Sequence, residues 1–255
     1  MAESTRPSDV TVRRFVARNL DLFADDGAGH ASISYRLMSP QSTDAKSRDP
    51  LIVFLHGAGE RGSDNLAQLR YLPEVLALEE NRRRYPCYVA APQCPLGSTW
   101  CTTNPKAPEL QRLGATSLPA GLVAELVRDV VADHAVDERR IYLTGLSMGG
   151  FGVWYAAARD PERFAAAAPI CGGVRLFEPQ RLRDLPIWAV HGADDDVVPC
   201  DYSRRAIAAV RNAGGRPRYD ELPKVGHDSW TPAYDPSFGL LDWLFAQRRD
   251  DEIVG

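Results

Sequence analysis

The residues Ile141-Tyr142-Leu143-Thr144-Gly145-Leu146-Ser147-Met148-Gly149-Gly150 decide how this chain is read. A β-prone run ends at a glycine, a serine stands two places on, and another glycine follows at the same spacing. The next stretch, Phe151–Arg159, has helical character. A strand that turns this sharply into a helix needs glycine on both sides of the turn, because a Cβ there would collide with neighbouring backbone. The serine is then held at the strand's carboxyl end in a strained conformation. The helix behind it aims its unpaired N–H groups toward it, which favours negative charge there. Gly-x-Ser-x-Gly in this strand–turn–helix setting marks a nucleophile elbow, whereas the bare five-residue pattern carries little weight.

Outward from the elbow, short apolar runs alternate with helical patterns. Leu51–Leu55 is continuously apolar, as a strand buried on both faces is. Tyr88–Ala91, Phe164–Ile170, Pro186–Val190 and Arg218–Leu222 read as further strands. Leu118–His134, with Leu122, Leu126, Val130 and Val131 on one side, reads as a helix, as do Asp201–Asn212 and Ser237–Arg248. Strands alternating with helices imply right-handed crossovers and a mainly parallel sheet with helices on both faces. Thr11–Ala17 and Ser32–Leu37 are expected to form an antiparallel pair at the sheet edge, and Ser39–Pro50 a surface connection. There is no repeat or linker, so residues 1–255 are read as one domain with a core spanning about 10–248.

Two other segments belong with the serine. His56-Gly57-Ala58-Gly59 follows the Leu51–Leu55 strand directly. In a fold built around such an elbow, this connection supplies one backbone N–H to an oxyanion and the residue after the nucleophile supplies the other, here Ala58 and Met148. His191-Gly-Ala-Asp194-Asp195-Asp196 follows another strand, and Gly226-His227-Asp228 follows the last one. The order serine, acid, histidine is that of the α/β-hydrolase fold, with His227 as base and one of three adjacent aspartates as acid. His56 and His191 are expected to brace their loops.

The segment His56–Asn65 (His-Gly-Ala-Gly-Glu-Arg-Gly-Ser-Asp-Asn), the elbow through Trp154, and the tail His227-Asp-Ser-Trp230 with Tyr234 and Leu241-Asp-Trp243 resemble an esterase family often labelled "predicted peptidase". It is related to polyhydroxybutyrate depolymerases, feruloyl and acetylxylan esterases and dienelactone-hydrolase-like proteins. The resemblance runs from Leu51 to Gln247. It implies a serine carboxylesterase, with peptidase or amidase activity and a non-catalytic binding protein as alternatives. It also implies that the acid in the His-Gly-x-x-Asp-x-x-Val-Pro loop is Asp195.

Forty-eight positions separate Ser147 from Asp195 and thirty-two separate Asp195 from His227, which leaves no room there for a large lid. A lid-free site suits a soluble ester better than an aggregated lipid. Trp100 and Trp230 fall near rim loops, where an aromatic face could bind a sugar or phenolic ring; Trp154, Trp188 and Trp243 read as core.

A net charge of −4 with no basic stripe argues against nucleic acid. No uncharged apolar run spans a bilayer and no apolar leader opens the chain, so a cytoplasmic protein is expected. The cysteines Cys87, Cys94, Cys101, Cys171 and Cys200 match no zinc spacing and read as reduced thiols, with a Cys94–Cys101 clasp as the alternative. Neither metal nor cofactor is expected, since a serine mechanism needs none. The oligomeric state is not legible.

Overall fold

The structure is a computed structural model, and it describes residues 6–23, 30–41, 47–101, 116–117, 121–173 and 178–250. Its strands, in chain order, are β1 (Val16–Phe23), β2 (His30–Met38), β3 (Asp49–Leu55), β4 (Tyr88–Pro92), β5 (Ser98–Thr99), β6 (Thr116–Ser117), β7 (Val136–Leu146), β8 (Ala166–Ile170), β9 (Trp188–Gly192) and β10 (Arg218–Leu222). Eight of them form one sheet in the order β1-β2-β4-β3-β7-β8-β9-β10. The pairs β1–β2 and β2–β4 are antiparallel, and every pairing from β4 across to β10 is parallel. β5 and β6 make a separate two-residue parallel ladder.

The helices are α1 (Asp9–Arg14), α2 (Leu72–Ala77), α3 (Glu79–Arg84), α4 (Leu122–Asp133), α5 (Met148–Arg159), α6 (Asp201–Asn212), α7 (Trp230–Tyr234) and α8 (Leu240–Ala246). They cover both faces of the sheet, which explains the unbroken apolar run of β3. Leu51, Val53 and Leu55 pack with α4, α5 and α6 residues such as Leu126, Val153 and Ile207. Ile52 and Phe54 point the other way and pack with Leu72 and Leu76 of α2 and Leu241 and Leu244 of α8. These five side chains are fully buried, each contributing about 1.5–3 kcal/mol of apolar burial. This is the mainly parallel, helix-covered α/β-hydrolase fold.

Local chemistry explains where elements depart from expectation. Thr11–Arg14 is helical, not extended: Ser8 caps α1 by accepting a hydrogen bond from the Thr11 N–H at 3.2 Å, and Asp9 sits favourably in the first turn. The edge pair therefore begins at Val16, in register with Leu37. The expected Ser237–Arg248 helix is divided by Gly239 at φ 88°, with a 3-10 turn (Pro236–Phe238) before α8. α4 begins at Leu122; residues 118–120 lie outside the described residues, as do 42–46 of the expected surface connection. Among the described residues, no helix is long and apolar enough to cross a membrane. All five cysteines are free and buried, so Cys94 and Cys101 are not clasped.

Candidate active site

The elbow is built as its glycines require. Ser147 sits at φ 51°, ψ −117°, between β7 and α5, a conformation that costs a non-glycine residue on the order of 1–3 kcal/mol. The turn is clamped by close backbone approaches: a Cβ on Gly145 would stand 2.5 Å from the Leu55 carbonyl oxygen, and one on Gly149 1.8 Å from the same atom. The Ser147 N–H donates to the Ile170 carbonyl at 2.9 Å and to Cys171 Sγ at 3.2 Å. Cys171 itself has φ 40°.

Ser147 Oγ lies 3.0 Å from His227 Nε2, and His227 Nδ1 lies 2.7 Å from Asp195 Oδ2. The other carboxylate oxygen of Asp195 accepts the N–H groups of Val197 at 2.9 Å and Val198 at 2.8 Å. Asp195 is buried, whereas Asp194 and Asp196 are exposed. Of the three aspartates, Asp195 is therefore the one in the row. Two backbone bonds join the loops that carry Asp195 and His227: Ala193 N–H to Leu222 O and Asp194 N–H to Val225 O, both 2.9 Å. Asp228 faces away and caps α7 through the Thr231 N–H at 3.0 Å.

Ala58 opens a 3-10 turn (Ala58–Glu60) directly after β3 and is half-buried. A Cβ on the preceding Gly57 would stand 2.8 Å from Leu146 Cδ1, so this loop lies against the elbow. Met148 is the first residue of α5, and its N–H is one of the first-turn donors that a helix leaves unpaired. His56 acts as a brace: it is fully buried, its Nδ1–H donates to Gly57 O at 2.6 Å, and its Nε2 accepts the Cys94 N–H at 2.9 Å. Burial holds its pKa down to about 4, so the ring stays neutral. His191 also braces its loop, from a buried position behind Asp195.

The two candidate rim tryptophans part company. Trp230 is half-buried and meets His227 edge-to-face at 5.2 Å and Tyr71 at 5.5 Å. Trp100 is only 5% exposed. Its indole N–H donates to the His56 carbonyl at 2.8 Å, and its Cβ would crowd any side chain at Gly152. Trp100 thus packs beneath the loop after β3, and its ring presents no open face. Trp154 and Trp188 are core, as expected, and Trp243 is half-buried edge-to-face against Trp188.

Neither Tyr71 nor Cys171 carries a motif that marks it in the sequence as part of the site. Tyr71 stands at φ 64°, strained beside Trp230; only its place after a turn-rich segment hinted at it. Cys171 follows β8 at the sheet's carboxyl rim, the position from which a site residue would come. Burial pushes its thiol pKa up, so it is kept as a thiol. Cys171, Asp195 and His227 offer ligand atoms within 4.8 Å of one another. A cation there would have to displace both this thiol proton and the proton between His227 and Asp195, so the set is better matched to its hydrogen bonds than to a resident metal.

A strained serine on a strand–helix elbow, in a row with a histidine and a buried carboxylate at the carboxyl rim, defines an α/β-hydrolase. The chain belongs to the PHB depolymerase esterase family, whose sequence profile matches residues 33–182. It is 35% identical over 77 residues to the bifunctional acetylxylan esterase/xylanase of Neocallimastix patriciarum, covering 30% of this chain and 11% of that one. It is 25% identical over 197 residues to a probable feruloyl esterase C of Aspergillus niger, covering 77% and 67%. A crystal structure described as a thermostable esterase superposes with a TM-score of 0.82 at 37% identity, covering 94% of this chain and 64% of that one.

Proposed function

We propose that the protein is a serine carboxylesterase that hydrolyses a soluble short-chain, aryl or sugar ester through an acyl-enzyme. The observation that carries this reading is the row Ser147 Oγ–His227 Nε2–Asp195, at 3.0 and 2.7 Å, on a strained elbow. Ser147 Oγ attacks the ester carbonyl carbon while His227 Nε2 takes its proton. Asp195 holds the His227 Nδ1–H tautomer and stabilises the imidazolium. The N–H groups of Met148 and Ala58 receive the oxyanion, each such donor being worth about 3 kcal/mol in the transition state. His227 returns the proton to the departing alcohol. Water then attacks the acyl-enzyme by the same route, releasing the acid and regenerating Ser147.

Trp230, beside the base, supports an aromatic or sugar group in the ester, its ring forming one wall of the site. Trp100 serves by holding the His56–Glu60 loop. The feruloyl and acetylxylan esterase names among the relatives support the same substrate class.

The test is a panel of p-nitrophenyl acetate, butyrate and octanoate, methyl ferulate, acetylated xylose and peptide anilides, run with fluorophosphonate labelling. Short-chain, feruloyl or acetyl-sugar esters should turn over and Ser147 should carry the label. Anilide cleavage exceeding ester cleavage would replace this reading with the peptidase one, and an unlabelled Ser147 would overturn both.

A further inference from the structure

Asp195 has a second histidine. His191, in β9, is fully buried, and its Nε2 lies 3.1 Å from Asp195 Oδ2 and 2.9 Å from the Val198 carbonyl oxygen. A carbonyl oxygen can only accept, and so can an ionised carboxylate, so the atom facing both must be an N–H. The other ring nitrogen, Nδ1, lies 2.8 Å from Ser203 Oγ of α6, which lies 2.6 Å from the Gly172 carbonyl oxygen. Ser203 has one proton for these two acceptors. If it donates to Gly172, the buried ring must carry a second proton. If it donates to Nδ1, the ring is neutral. Burial favours the neutral ring, so the Nε2–H tautomer is the one held in place.

The Asp195 carboxylate then accepts the N–H groups of Val197 and Val198 on Oδ1 and of His227 on Oδ2, and on Oδ2 it shares a fourth, the His191 Nε2–H, with the Val198 carbonyl oxygen. Four is about the capacity of a carboxylate. A carboxylate whose lone pairs are filled cannot rotate without losing a bond, and it is a weaker base toward the proton on His227. The groups facing His191 are Asp195 on its own loop, His227 from the loop after β10, Ser203 on α6, and Glu221, its register partner on β10, which is ion-paired to Arg204.

We propose that His191 is a positioning residue for the reaction: its Nε2–H, donated to Asp195 Oδ2, aims the carboxylate at His227 and sets the basicity of that imidazole. Ser203 Oγ, 2.8 Å from its Nδ1 and 2.6 Å from the Gly172 carbonyl oxygen, places the same ring beside the segment that carries Cys171, against which the Ser147 N–H rests. This deepens the esterase reading and rests on it for its kinetic effect only.

The experiment compares the full-length protein with His191→Leu, which removes the donor, and His191→Gln, whose amide N–H₂ reaches the Nε2 position. His227 is titrated by NMR of the imidazole ring, assigned with His227→Gln, and the rate of fluorophosphonate capture by Ser147 is measured alongside. In His191→Leu, losing one N–H should raise the His227 midpoint by about half a unit, because the carboxylate then holds the imidazolium more tightly. Ser147 capture should slow by about tenfold, and on a turned-over ester the loss should fall on kcat with KM unchanged. His191→Gln should recover most of both.

An unmoved His227 midpoint in folded His191→Leu, or Gln behaving as Leu does, would overturn the proposal. If His191→Leu does not fold, His191→Asn, whose amide reaches only the Ser203 side, takes its place under the same criteria. Absence of ester turnover in the unmodified protein would sink the esterase reading alone, since the His227 midpoint is read without substrate.

Discussion

Gly192 and Gly226 meet so closely that a Cβ on Gly192 would stand 2.1 Å from the Gly226 carbonyl oxygen and 2.4 Å from that of Val225. This approach brings the loop bearing Asp195 against the loop bearing His227. Gly192→Ala must push the two apart, an overpacking worth about 1–3 kcal/mol. The expected result is a lower urea midpoint together with a fall in kcat, because the 2.7 Å bond between Asp195 and His227 spans the same gap. Wild-type kcat in a folded Gly192→Ala would show that the loops are not locked this way.

Ser147 joins the proposed nucleophile and backbone strain in one residue. Ser147→Ala should lower kcat by on the order of 10⁶. Ser147→Gly should be as inactive but more stable than the alanine variant, by about 1 kcal/mol, since glycine accepts φ 51°, ψ −117° without penalty. Equal denaturation midpoints for the two variants would mean that the elbow stores no strain.

Among the three adjacent aspartates, Asp195→Asn should reduce kcat by about 10⁴, because an amide favours the wrong tautomer of His227. Asp194→Asn and Asp196→Asn, both at exposed positions, should stay near wild type. Kinetics of the three single variants decide the matter. A large loss at Asp194 or Asp196, with Asp195 spared, would move the acid by one residue.

Stability should fall in mild acid because of His56. Its folded pKa is depressed to about 4 by burial, against 6.5 for the free side chain. Below pH 6.5 the unfolded chain binds a proton that the folded chain refuses. The contribution is therefore fully present above pH 6.5 and is lost as pH falls toward 4, by up to about 3 kcal/mol. His191, depressed in the same direction by burial, adds to the loss with the same sign. Urea denaturation at pH 7 and pH 4.5 measures the slope, and His56→Gln should flatten it.

Much of this architecture is legible in the residues because its rules are local. β3 shows as an unbroken apolar run because it is covered on both faces, and Asp201–Asn212 and Arg218–Leu222 occupy the expected bounds. Ser147 was legible through its glycines. Asp195 was not separable from its neighbours by spacing, because which carboxylate points at His227 depends on how the loop folds over Val197 and Val198. Trp100 carries no local mark of its burial; Gly152, fifty-two positions away, makes room for it. Tyr71 and Cys171 owe their places to backbone conformations that follow from packing. The start of α1 was readable in Ser8-Asp9 as a cap, but the β-prone residues after it masked the signal.

The edge position of β10 separates wear from collapse. The proposed nucleophile, Ser147, hangs from β7, in the buried centre of the sheet, while the proposed base, His227, hangs from the loop after β10, an outermost strand whose residues are exposed or half-exposed. Peripheral strands open at lower free energy than central ones. On warming, the chain should lose turnover while its circular dichroism is still native, as the rim around His227 loosens ahead of the rest. Ligands that span Ser147 and Trp230 should defer this early inactivation more than they raise the temperature of global melting.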